Sequence, residues 1–113
     1  MLHTNLKHVL SADEHKKLIE ENENVMICCG RMGPMCIPVY AAMGELENEY
    51  EQVVFADMEF DISDATVIRN APECRGFMGL PFVVYYKKGK LVHATSSILR
   101  KEQIASVLNE KLL

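Results

Sequence analysis

A chain of 113 residues fits one domain around a single hydrophobic core, and 49% apolar with 25% charged residues is an ordinary globular balance. The net charge of −4, with no basic cluster larger than Lys87-Lys88-Gly89-Lys90, argues against nucleic acid as a partner. No apolar run approaches the roughly 20 residues that cross a bilayer. Residues 1–7 lack the apolar core of a signal peptide, so the expectation is a cytoplasmic protein with no membrane partner.

Residues 6–10 form a short apolar stretch that reads as an edge strand. Ser11, followed by Ala12-Asp13-Glu14, has the form of a capping box, in which Glu14 returns a hydrogen bond toward the cap. The helix it opens is expected to run about ten residues, with Leu18 and Ile19 inward, Lys16, Lys17, Glu20 and Glu21 outward, and Asn22-Glu23-Asn24 as its end. Residues 25–29 are uninterruptedly apolar, the mark of a strand covered on both faces. An irregular loop, 30–33, follows, and Pro34 suits the first turn of a second helix, where a missing N–H costs nothing. Val39, Ala42, Met43 and Leu46 recur at helical spacing up to Tyr50, while Pro38 leaves two alternatives, a kink or a helix that begins near it.

Residues 53–60 read as a second buried strand, ending in Glu59-Phe60-Asp61, and 64–70 as a short helix capped by Ser63 or Asp64. A loop over 71–80 leads to a strand that starts at Pro81, a position where proline is tolerated. Lys88-Gly89 turns the chain back into 91–95 as a hairpin, and a last helix over 99–112 buries Ile104, Val107 and Leu108. The order β-α-β-α-β-α-β-β-α predicts an α/β fold. Its central sheet is mixed and mostly parallel, with helices on both faces and an antiparallel edge hairpin. No repeat or linker interrupts it, so residues 1–113 are expected to form one domain.

That order and three local patterns resemble the thioredoxin family over nearly the whole chain. A buried strand runs into a Gly-Pro loop at Met32-Gly33-Pro34-Met35; Gly79-Leu80-Pro81-Phe82 looks like the family's Gly-Ile-Pro-Thr segment; Tyr85-Tyr86-Lys87-Lys88-Gly89-Lys90 is similar to its Phe-Lys-Asn-Gly-Glu hairpin. Asp61 at the end of the third strand and the Ala71-Pro72 pair also match. The resemblance implies a thioredoxin-like fold, a cis peptide before Pro81, thiol–disulfide exchange without a cofactor, and an extended protein or peptide segment docked beside Pro81. It also breaks off at the chemistry. The family's Cys-x-x-Cys reads Met32 and Met35 here, its preceding Trp is Arg31, its buried Asp is Met26 and that Asp's lysine partner is Asp57. A thioether has no ionisable proton and cannot become the attacking thiolate.

Cys36 is then the best remaining redox residue, in the first turn of the second helix where unpaired N–H groups favour a thiolate, with Arg31 nearby. In the family layout a residue at this position points toward solvent. Cys29 is a candidate resolving partner across a C-x6-C loop. Cys28 and Cys29 are adjacent in a strand, face opposite ways, and read as small buried hydrophobes. Cys74 lies in the loop before Pro81, on the docking side. The spacing C-C-x6-C-x37-C matches no standard zinc or cluster pattern, so no metal is expected. His3, His8, His15 and His93 read as solvated or half-buried, and 45–51 as the wet face of a helix.

Two functions from different classes follow. One is atypical thiol redox through Cys36. The other is a non-catalytic module that docks an extended segment on Met32, Gly33, Pro34, Met35, Gly79, Leu80 and Pro81, within an apolar rim that includes Phe77 and Met78. A monomer is expected for either.

Overall fold

A computed structural model describes residues 2–113. In chain order the regular elements are β1 (Lys7–Val9), α1 (Ala12–Glu21), β2 (Asn24–Gly30), α2 (Ile37–Leu46), β3 (Val54–Glu59), α3 (Thr66–Arg69), β4 (Phe82–Lys87), β5 (Lys90–Ser96) and α4 (Lys101–Val107), which runs on as a wider turn over Leu108–Leu112. The strands form one sheet in the order β1-β3-β2-β4-β5. β3 is parallel to both β1 and β2, and β4 is antiparallel to β2 and β5, so the sheet is mixed and β1 is an edge, as expected. Ser11 caps α1 through its Oγ, which accepts from the Glu14 N–H, while the Glu14 carboxylate accepts from the Leu10 N–H.

Every residue of β2 is buried, because helices cover both faces of the sheet and β2 is the middle strand. Alternation along β2 divides the core. Met26 and Cys28 face a layer with Phe55, Val83 and Tyr85, closed by Val39, Tyr40 and Met43 of α2 and Ile104 and Leu108 of α4. Val25, Ile27 and Cys29 face the other layer, with Leu18 of α1 and Ile68 of α3. Full burial of each large aliphatic or aromatic side chain in these layers is worth about 1.5–3 kcal/mol.

One open alternative is settled, and two details depart from the expectations. The second helix begins at Ile37, the alternative near Pro38, and not at Pro34. Residues 33–36 form a turn of their own, in which the Cys36 and Ile37 N–H groups both donate to the Gly33 carbonyl. Pro38 sits in the first turn of α2, where its missing N–H and fixed φ are harmless. His15 is buried and hydrogen-bonded to the Tyr86 hydroxyl at 2.9 Å, unlike the solvated or half-buried histidine expected. His15 stands three residues before Leu18, on the one face of α1 that packs on the sheet. Val107 is only partly buried, and Leu112 takes the inward place at the end of the chain. No helix among the described residues is long and apolar enough to cross a membrane.

Candidate functional site

β2 delivers the chain to Gly30, where it leaves the sheet. A Cβ placed on Gly30 would lie 2.8 Å from Cys36 Sγ, 2.9 Å from Tyr40 Oη and 3.1 Å from Pro81 Cβ. Only glycine fits, and the three groups it admits meet at one point. The Leu80–Pro81 peptide is cis, as the sequence resemblance implied. Cys36 is therefore 2% exposed and turned inward, against the expectation that it would point to solvent. The later helix start explains the correction: Cys36 becomes the cap of α2, and Tyr40, four residues on, lies on the same inner face. Met32 and Met35 project outward instead, 40% and 41% exposed. The Met32 sulfur accepts a hydrogen bond from the His3 N–H at 3.4 Å.

Arg31 is gripped at three places. Its N–H donates to Cys36 Sγ at 3.5 Å, and its carbonyl accepts from Tyr40 Oη at 3.1 Å. Its guanidinium makes a two-pronged pair with Asp61 at 2.7 and 2.8 Å and lies over the Phe60 ring, 5.4 Å from its centre. That hydrogen bonding from Arg31 holds the Asp61 carboxyl below its ordinary value, and the pair is exposed to solvent. Burial pushes the Tyr40 phenol well up, so it stays a neutral donor.

Across from the turn, Gly79 packs on Ser97, and the Ser97 N–H donates to the Pro81 carbonyl at 3.1 Å. Gly79 and Leu80 themselves make no backbone hydrogen bond within the described chain. Met78 is 98% exposed, and Ile37 and Ile98 are exposed as well. Phe77, expected on the rim, instead packs edge-on against Phe82, 5.3 Å between ring centres. Leu80 is half-buried and bridges both core layers. Met32, Met35, Met78, Ile37 and Ile98 are thus the large apolar side chains exposed on the loops and helix start that flank the site.

All four cysteines are free and buried. Cys29 belongs to the layer opposite Cys36, so the structure does not bring the expected resolving pair together. Strand alternation fixes this: the thiol on Cys36's face is Cys28. Burial, then the neighbouring Cys36, pushes the Cys28 thiol well up. Burial pushes Cys29 up to about 12, with Arg69 opposing. Cys74 shares the Cys29 layer, not the docking surface, and burial raises it too.

Two features lay outside the sequence reading. Tyr40 was not singled out; its spacing of four from Cys36 was the available signal. Asp57, which stands where the resemblance implies a lysine, is 1% exposed and pairs in register with Cys28. Its carboxylate accepts from the Thr4 hydroxyl and from His8 Nδ1, the latter at 2.7 Å. The acid absent at Met26 is thus present one strand across, beside a cavity of about 280 Å³ lined by His8, Leu10 and Ile62 among others. No group of three or more His, Cys, Asp or Glu side chains among the described residues is arranged to hold a metal.

No family model and no curated protein matches the sequence. Solved structures do. A Plasmodium falciparum thioredoxin is 22% identical, over 94% of this chain and 99% of that one, with a TM-score of 0.77. Mitochondrial thioredoxin 3 from Saccharomyces cerevisiae, in its oxidized form, is 18% identical over 93% and 94%, also at 0.77. Chlamydomonas reinhardtii thioredoxin f2 is 14% identical over 96% and 99%, at 0.75. The chain therefore has the thioredoxin fold.

Proposed function

We propose that this protein takes part in thiol–disulfide redox as a monothiol, with Cys36 as its exchanging residue and an extended, cysteine-bearing protein segment as its substrate. One observation carries the reading: the Cys36 sulfur and the cis-Pro81 ring flank one point over Gly30, 2.8 and 3.1 Å from where a Cβ would stand, and the sulfur receives a peptide N–H from Arg31. The segment pairs with the unused backbone groups of Gly79 and Leu80, and its side chains lie between Met32, Met35 and Met78, which adapt to many shapes.

Exchange begins when the Cys36 thiolate attacks one sulfur of a substrate disulfide. That S–S bond breaks, a mixed disulfide forms, and the other substrate sulfur leaves as a thiolate that takes up a proton. With Cys29 on the far side of the sheet, a small cytoplasmic thiol attacks the Cys36 sulfur and frees the reduced substrate. A second small thiol then restores Cys36, leaving a small-molecule disulfide. Since Cys36 is buried, the 33–36 turn must lift for attack. A reducing compartment such as the cytoplasm keeps the single thiol ready, and the monomer contains all of the parts named.

Insulin reduction in the presence of reduced glutathione tests the reading. The native protein accelerates it above the glutathione background, and Cys36→Ser does not. Equal rates for both overturn the redox assignment. The burial of Cys36 behind exposed thioethers favours a second reading, docking without exchange. Under it, Cys36→Ser binds an extended peptide as tightly as the native chain and neither accelerates insulin reduction.

A further inference from the structure

We propose that Tyr40 is the positioning residue for Cys36, acting through the peptide groups of Arg31. The inference rests on Cys36 being the exchanging thiol. The Tyr40 hydroxyl, buried under Gly30, donates to the Arg31 carbonyl at 3.1 Å, while the N–H of the same residue donates to Cys36 Sγ at 3.5 Å. A hydroxyl and a sulfur that sit one helical turn apart on α2 thus hold one residue of the loop from both sides.

The far end of Arg31 pairs separately with Asp61 and lies over Phe60, so its side chain and its peptide groups are held by different partners. Gly30 completes the clamp, because any larger residue there would occupy the space of Sγ and Oη together. The N–H on Sγ is a charge-assisted donor once the sulfur is a thiolate, and a buried anion depends strongly on such a donor. Without the Tyr40 hydroxyl, Arg31 turns its carbonyl to solvent and the N–H leaves the sulfur. The thiolate then forms at higher pH.

Tyr40→Phe keeps the ring and removes one oxygen. The test is the pH dependence of Cys36 alkylation by iodoacetamide in the folded protein, with the modified cysteine identified by peptide mass. The expected result is a rise of about one unit in the pH of half-maximal rate, which is about a tenfold loss of rate at neutral pH. Tyr50→Phe, which removes a hydroxyl bonded to Asn109 outside this site, leaves the midpoint unchanged. If Tyr40 serves only packing, the variant loosens the turn, the maximal rate rises and the midpoint stays where it was. That result overturns the proposal.

The native protein supplies a second measurement that needs no variant. The Arg31 amide proton signal is expected to titrate with the same midpoint as Cys36 alkylation, and independence of the two overturns the clamp. Both readouts use no disulfide substrate. Failure of the insulin assay therefore counts against exchange by Cys36, and failure of these titrations against Tyr40.

Discussion

At Gly30 a single added methyl group would meet a sulfur, a phenol oxygen and a proline ring, all within 3.1 Å. Gly30→Ala is therefore expected to cost about 1–3 kcal/mol as overpacking, read as a lower urea midpoint, and to displace Cys36 from cis-Pro81. Asp57 is a buried charge. Its buried carboxylate has Thr4 and His8 as partners, and His8→Ala leaves one oxygen without its donor. A loss of about 1–3 kcal/mol is expected, again by urea unfolding, with no change in Cys36 alkylation at its pH midpoint. The residue scale is also where the sequence was hardest to read. Asp57 is the first of three alternating acids, Asp57, Glu59 and Asp61, and only the β1–β3 register reveals His8 beside it. Cys29 and Cys36 bracket the loop in sequence, yet which face Cys36 takes depends on the first residue of α2, which two prolines left ambiguous.

Among the elements, strands and helices followed their periodicity: the unbroken apolar run of β2 and the capped amphipathic α1 stand close to where the pattern put them. Helix ends were less legible: α2 starts at Ile37, one of the two starts its prolines left open, and α4 starts at Lys101, two residues after Leu99. The contact of α1 with β4 carries a pH prediction. Burial holds His15 below the ordinary histidine value, so its neutral form is favoured in the folded state. Such a group contributes stability that is present above the unfolded value, about 6.5, and is lost as pH falls through the lower folded value. Urea midpoints of the native protein are expected to drop more steeply below about pH 6.5 than those of His15→Gln. Parallel curves would remove His15 as the cause.

For the whole molecule, one sheet separates four free thiols into two layers, Cys28 and Cys36 against Cys29 and Cys74. That partition comes from β2 lying in the centre with helices on both faces, and Cys36 is the thiol that shares the space over Gly30 with cis-Pro81. The thioredoxin fold persists at 14–22% identity to solved thioredoxins because two buried layers and their strand order define it. Met32 and Met35, exposed outside those layers, are free to vary. The most direct test of the monothiol account is to incubate the folded protein with oxidized glutathione or a disulfide peptide, quench with acid and locate the adduct by peptide mass. The account predicts one mixed disulfide, on Cys36, that is absent from Cys36→Ser. A native protein that forms no adduct, or forms it on Cys28, Cys29 or Cys74 instead, contradicts it.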